Sequence, residues 1–403
     1  MSLIATIDQG DNAGVAPATK KPIQRRVEFD YLRAFVVVLV VWHHAILAYA
    51  VYSFINPGNP IATFSPVVDE QRWVGFDLLA SLNDSFFMPL MFFVSGLFVW
   101  RSLTRKGAGK YVLDRFIRLG IPFIIGLFFV IPLAYYPAQL AVERVYGGDT
   151  GYMEFWLQMI RSGFTTAGPL WFLWLLLVFD CIAALLHWGI RQPETLFQER
   201  TVMAFQRPVV FFVTLLAVST IAYLPFAFLF DPAQWSGVGP FVFQTNRVLF
   251  YLVYFLVGVA AGAYGMDRTI LQTGGTLGRQ WWIWLALGLV GYGALVVLIV
   301  GGAPQIAVAT MVFAATCAAL VIGMVAFFLR TMTRHMRILD NLAACAYGIY
   351  IVHYVFVTWL QYALLDVHLP AFAKGVLVFA GALALSWVVT YMLRRIPVVT
   401  RVI

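Results

Sequence analysis

The chain has 403 residues, 62% of them hydrophobic and only 11% charged, with a formal net charge of +8. Soluble domains carry about 25% charged residues, so this chain cannot cover a water-facing surface and reads as an all-α polytopic membrane protein. The positive balance comes without any groove-reading module, which excludes nucleic acid as a partner. The three cysteines, Cys181, Cys317 and Cys345, all sit inside apolar runs and form no CxxC, which excludes a disulfide framework and a metal centre.

Residues 1–24 are polar and rich in Ala, Gly and Asp, and are expected to be a disordered tail. Arg25-Arg26 followed by an apolar stretch and Ala48-Tyr49-Ala50 loosely mimics a cleavable leader, but Glu28 and Asp30 interrupt its basic region. Apolar runs long enough to span fall near 32–52, 78–100, 116–136, 170–188, 209–230, 248–266, 281–300, 306–329, 342–364 and 371–393. Ten helices follow, making one transmembrane domain over 25–394 with a short tail at 395–403. Pro122, Pro132 and Pro225 lie inside spans, where neighbouring groups can satisfy the freed carbonyls.

With the N-terminus placed in the cytoplasm, 22 of the 27 Lys and Arg residues fall on the inside, leaving Arg72, Arg144, Arg161, Arg247 and Lys374 outside. That asymmetry predicts both termini in the cytoplasm. The longer outer loops, 53–77, 137–169 and 231–247, hold Trp73, Tyr146, Tyr152, Trp156 and Trp235. Such aromatics suit sugar rings, although an interfacial aromatic belt is the plainer reading of each.

The first span carries the clearest chemistry. Arg33 and His44 are eleven residues apart, close to three helical turns, and so share one face with Asp30, Val37 and Val41. With the span starting near Leu32, Arg33 lies at the membrane edge and His44 about half-way across a ~30 Å hydrocarbon core. An ionisable group at that depth marks function by default, and an imidazole moves protons at neutral pH. His43 is the rival imidazole, about 100° round the helix.

The second span reads Asn83-Asp84 at its outer end and Ser95-Gly96 further in. Asp84 reads as a solvated interfacial group, and Ser95 and Gly96 as small residues for close helix approach. The following connector is the most basic patch, with Arg101, Arg105, Lys106, Lys110, Arg115 and Arg118. It suits a phosphorylated ligand, and equally positive-inside topology and anionic lipid. Gly168-Pro169-Leu170-Trp171 leads into the fourth span. Tyr347, Tyr350, His353 and Tyr354 share a stripe on the ninth, which reads first as packing.

Together these segments resemble the membrane-bound acyltransferase 3 family. The Arg-then-ten-then-His pattern is met by Arg33 and His44, its Asp-x-Leu-Arg lead-in by Asp30, Leu32 and Arg33, and Met-Pro-Leu-x-Phe-Phe-x-Ser-Gly by Met88 to Gly96. Arg115, Arg118, Leu119 and Pro122 meet Arg-x-x-Arg-Leu-x-x-Pro, and the Leu-Trp-Phe-Leu and Tyr-x-x-Tyr-x-x-His elements fall at 170–173 and 347–353.

The resemblance implies transfer of an acetyl or succinyl group from cytoplasmic acyl-CoA to a carbohydrate hydroxyl across the bacterial inner membrane. Acyl-CoA is then a co-substrate, and no cofactor is held permanently. It implies His44 as general base or transient nucleophile, Arg33 holding the donor or developing negative charge, and Asp30 orienting Arg33. It also implies Arg101, Arg105, Lys106, Arg115 and Arg118 on the donor. His43, Asn83, Asp84, Ser95, Trp171 and His353 then fall to the acceptor side or to secondary roles. The absence of a fused esterase-like domain looks more like the glucan biosynthesis protein C branch, which succinylates periplasmic glucans. A secondary transporter would favour paired repeats, and none is visible. A non-catalytic polysaccharide export subunit is the third reading. Oligomeric state is left open between a homo-oligomer and assembly with polysaccharide biosynthesis partners.

Overall fold

A computed structural model describes residues 26–56, 58, 65–164, 166–190, 205–232, 234–302 and 305–402. The expected disordered tail over 1–24 lies outside the described residues, as do Lys20, Lys21, Arg25, Arg191 and Arg200 of the charge count. Among the described residues, ten helical segments are long and apolar enough to cross a membrane. They are α1 (Val27–Leu47), α2 (Val74–Lys106), α3 (Ala108–Tyr146), α4 (Gly168–Gly189), α5 (Pro208–Leu229), α6 (Thr245–Tyr264), α7 (Trp281–Val300), α8 (Ile306–Thr331), α9 (Arg337–Ala363) and α10 (Ala371–Leu393). The chain is an all-α polytopic membrane protein. A short antiparallel hairpin between α5 and α6, β1 (Trp235–Val238) and β2 (Phe241–Gln244), pairs Trp235 with Gln244 and Val238 with Phe241. Below, the basic end is where α1 begins and the loop end is where it finishes.

The span α1 starts five residues before the run read from hydrophobicity and stops five residues short of its end. Glu28 and Asp30 lie in its first turn, where carboxylates complement the helix dipole. Beyond Leu47, Ala48, Tyr49 and Ala50 stay fully buried but leave the helix. Their backbone is satisfied otherwise: the Asp69 amide donates to the Ala48 carbonyl, the Trp73 amide to the Tyr49 carbonyl, and the Ser53 hydroxyl to the Leu47 carbonyl. The apolar run therefore measured burial, not helix. His44 consequently lies three residues from the loop end of α1 and not half-way along it.

The prolines of α3 are absorbed by widened turns. Residues Phe116–Gly120 and Gly126–Val130 are π-helical, and each run is followed directly by Ile-Pro, at Pro122 and Pro132. A proline offers no N–H, so a local change of hydrogen-bond register removes the clash while the chain stays helical.

Glycine sets the closest approach. A Cβ on Gly96 would strike the Phe255 carbonyl of α6, one on Gly258 the Phe93 carbonyl of α2, and one on Gly262 the Leu97 carbonyl. The small-residue reading of Gly96 is thus its role: α2 and α6 pack backbone to backbone. On its other side α1 is gripped by α9, where Gln361 Nε2 donates to the His44 and Ala45 carbonyls at 2.9 and 3.1 Å. At the loop end Lys374 Nζ meets Asp69 Oδ2 at 2.6 Å, both side chains almost fully buried, which ties the segment before α2 to the start of α10.

Candidate active site

A cavity of about 760 Å³ lies at the loop end. Its floor is the last turns of α1, with His43 and His44 above Val40. The walls come from α2 (Asp84, Phe87, Met88), α3 (Tyr135), the start of α4 (Trp171) and α9 (Tyr350, Tyr354). The hairpin (Trp235, Val242, Gln244) and the start of α6 (Arg247, Tyr251) close the remaining side.

The two imidazoles are consecutive, so they leave α1 about 100° apart, yet both border this space. The His43 ring stacks on Phe87 at 5.2 Å, and the His44 ring meets Tyr354 edge to face at 4.9 Å. Each has a buried Nδ1 with no hydrogen-bond partner among the described residues. Buried polar atoms are nearly always paired, so two unpartnered ring nitrogens beside one cavity make it the candidate place for a ligand or a proton to be handled. His353 stands behind His44, fully buried, with ring centres 5.5 Å apart.

Opposite the histidines, Arg247 Nη1 reaches Asp84 Oδ2 at 2.6 Å, and its guanidinium lies over the Phe313 ring at 4.7 Å. Asp84 is therefore a partner to a buried cation, not a free interfacial carboxylate. The Tyr251 hydroxyl donates to Gln244 Oε1 at 3.0 Å, and Thr245 Oγ1 to Ser236 Oγ at 2.7 Å, which fixes the hairpin over the cavity. Trp171 meets Trp235 edge to face at 5.6 Å and stacks beside Tyr251 at 5.9 Å. Burial, with the Asp84 and Asp77 carboxylates nearby, pushes the Tyr52 phenol up, so it stays a hydroxyl donor at the cavity edge.

Of the residues singled out in the sequence, His43, His44, Asp84 and Trp171 line the cavity and His353 backs it. Asn83 is buried and donates to the Leu39 carbonyl at 3.1 Å, holding α2 to α1. Ser95 lies further along α2, away from the cavity. Arg33 does not line it: Arg33 Nη2 pairs with Asp30 Oδ1 at 2.7 Å, and the guanidinium covers Phe98 at 4.9 Å. Arg101, Arg105, Lys106, Arg115 and Arg118 are also at the basic end and outside the cavity. Lys106 is paired with Asp114, and Arg115 with the buried Asp180 at 3.3 Å and the Tyr111 hydroxyl at 3.0 Å.

Sequence reading passed over Arg247, Tyr52, Tyr135, Tyr251 and Gln244. A signal existed for Arg247, one of five cations that the charge count left on the outer side, at the very edge of an apolar span. The stripe of Tyr350 and Tyr354 was read as packing, yet both border the cavity. The Tyr350 hydroxyl also donates to the Pro169 carbonyl, anchoring the turn before Trp171. Among the described residues no trio of His, Cys, Asp or Glu is grouped to hold a metal ion.

Ten apolar spans among the described residues, with an aromatic-walled cavity at one end of their bundle, define a multi-pass membrane protein. An acyltransferase domain model, that of the acyltransferase 3 family, matches residues 26–391, and the chain belongs to this family. It is a membrane acyltransferase. Neither a curated protein nor a solved structure matches it.

Proposed function

We propose that the protein moves an acyl group, acetyl or succinyl, from acyl-CoA to a carbohydrate hydroxyl held in the loop-end cavity. The observation that carries this reading is the pair of imidazoles bordering a cavity large enough for a sugar ring and walled by Trp171, Trp235, Tyr251 and Tyr354. Aromatic faces suit the apolar faces of sugars, and the Arg247–Asp84 pair, Gln244 and Tyr52 suit their hydroxyls.

In this reading the basic end faces the cytoplasm of a bacterial inner membrane, as the distribution of Lys and Arg favours. Arg101, Arg105, Lys106, Arg115 and Arg118 meet the phosphates of acyl-CoA, with anionic lipid as their other partner. Arg33, steadied by Asp30, lies roughly 16 Å from His44 along α1. The long arm of the donor has to bridge that distance beyond Val40, where the loop-end cavity stops on α1, and Arg33 holds the donor without touching the reacting atoms. His44 acts as general base: it takes the proton of the acceptor hydroxyl as that oxygen bonds to the thioester carbon, and the carbon–sulfur bond breaks. The thiolate of CoA leaves with that proton as the thiol, and the acceptor leaves as an ester. A periplasmic glucan is the acceptor favoured by the resemblance to the glucan biosynthesis protein C branch.

The test uses inverted membrane vesicles carrying the full chain and radiolabelled acetyl-CoA or succinyl-CoA. Release of CoA with label passing to carbohydrate, and no net solute uptake, is the expected result. Solute uptake without CoA release would instead identify a transporter. Failure of CoA to raise the melting temperature of the purified protein would remove the donor.

A further inference from the structure

His353 is fully buried and does not itself border the cavity. Its Nδ1 lies 2.6 Å from the Tyr350 carbonyl oxygen, one turn back on α9. A carbonyl only accepts, so in the neutral ring the proton sits on Nδ1 and Nε2 carries a bare lone pair. That Nε2 is buried and has no hydrogen-bond partner among the described residues.

The neighbouring ring has the complementary gap. His44 Nδ1 is likewise buried and unpartnered. The two rings are 5.5 Å apart with planes tilted by 35°, and as they stand neither nitrogen bonds to the other. Catalytic hydrogen bonds are often misaligned without substrate, and a turn of the His44 ring would bring the two edges together. His43 is no substitute as a partner. Its ring stands at 84° to that of His44, an arrangement that aims one ring's edge at the other's π face. Gln361 holds the His44 and Ala45 carbonyls from the same helix that carries His353, so α9 fixes both the backbone and the surroundings of His44.

We infer that His353 is a positioning residue: once the His44 ring has turned towards it, its Nε2 accepts the Nδ1 proton of His44 and so fixes the tautomer that leaves His44 Nε2 bare towards the cavity. The inference deepens the acyl-transfer reading above and rests on it for its kinetic consequence, although not for its tautomer. During transfer His44 Nε2 gains the proton of the acceptor hydroxyl and returns it to the departing thiolate. The Nδ1 proton of His44 stays in place throughout, donated to His353, and His353 never becomes charged. Holding an imidazole in its working tautomer and orientation is the role a buried carboxylate plays in hydrolytic triads. Here a second imidazole, itself fixed by a backbone carbonyl, fills that role without placing an anion inside an apolar bundle.

The test compares His353→Gln with His353→Met in the full chain. The two replacements are close in size and flexibility, but only the glutamine keeps an acceptor. Membrane insertion and melting temperature are measured for both, and for His44→Ala. Turnover is followed with acetyl-CoA or succinyl-CoA and a linear glucan oligosaccharide. The expected result is a kcat about 10²-fold lower for His353→Met, with KM values unchanged, and recovery of about tenfold or more in His353→Gln. Equal rates in the two variants, fast or slow, would overturn the inference, because packing alone would then explain the residue.

A spectroscopic readout needs no acceptor. In protein with ¹⁵N-labelled histidine, the His44 signals, assigned by their absence in His44→Ala, are expected to show a protonated Nδ1 and a bare Nε2. His353→Met is expected to release that preference. A wild-type His44 protonated on Nε2 would overturn the proposal even if acyl transfer is confirmed. Normal transfer in His44→Ala would remove His44 as base while leaving the tautomer measurement to be judged by itself.

Discussion

The two ends of this bundle both pair charged groups, and they differ in what lies beside those groups. At the basic end several ionised side chains are engaged with one another, and among the described residues no cavity of comparable size is lined by them. Arg33 pairs with Asp30, Lys106 with Asp114, Arg115 with Asp180 and Tyr111, and Arg26 with Glu28 and Asp267. At the loop end fewer charges are present, yet His43 Nδ1, His44 Nδ1 and Arg247 Nε are buried without partners beside a cavity of about 760 Å³. The number of charges therefore separates the two ends poorly, whereas two unpartnered imidazoles beside a cavity single out the loop end as the candidate site.

If that contrast is right, substitutions at the loop-end floor should damage transfer without damaging the fold. His44→Ala is expected to lower acyl transfer by about 10²- to 10⁴-fold, with insertion and melting temperature near those of the wild type. His43→Ala, removing the ring stacked on Phe87, is expected to cost less. Steady-state transfer assays alongside thermal melts check both, and a His43 effect larger than that of His44 would exchange their roles.

The reverse pattern is expected at a loop-end group that is fully satisfied. Lys374 and Asp69 form a buried pair at 2.6 Å. Lys374→Met leaves an unpaired buried carboxylate and should destabilise by about 3–5 kcal/mol. Adding Asp69→Asn should return much of that, measured by denaturation in detergent. A silent Lys374→Met would contradict a buried ion pair that supports the fold.

Arg247 lies between these extremes, since it is paired and also borders the cavity. Arg247→Gln strands Asp84 and removes a donor to the acceptor. An increase of about tenfold in acceptor KM is expected, the effect of about 1.4 kcal/mol in binding, with kcat less affected. The smallest effect is expected on the exposed basic connector. Arg101→Ala with Arg105→Ala should raise the KM for acyl-CoA only a fewfold, and added salt should shrink the difference, because exposed charges are screened.

Much of the fold was legible because a membrane imposes one rule on every span: backbone groups must be satisfied within it, so apolar length alone finds helices. Ten spans were read and ten are present among the described residues. The misreadings lie where apolar residues are buried without being helical, as at Ala48-Tyr49-Ala50, and that shift moved His44 towards the end of α1. The candidate cavity was half legible. His43 and His44 stood out as imidazoles in an apolar run, and Trp171 and Asp84 as polar or aromatic groups at span ends. Arg247 and Gln244 did not stand out, because their place depends on a hairpin between α5 and α6 that folds back over the cavity. Within a linear sequence that hairpin reads as an outer loop. The Arg33–His44 spacing correctly placed both on one helix, but a shared face over three turns does not bring two side chains to one cavity.

Carbethoxylation of the folded protein with diethyl pyrocarbonate, followed residue by residue by peptide mass spectrometry across its six histidines, tests the central claim most directly. Loss of acyl transfer in step with modification of His44, and not with that of the exposed His335, is the expected result. Undiminished transfer by protein whose His44 is fully modified would contradict a catalytic imidazole at the loop-end cavity.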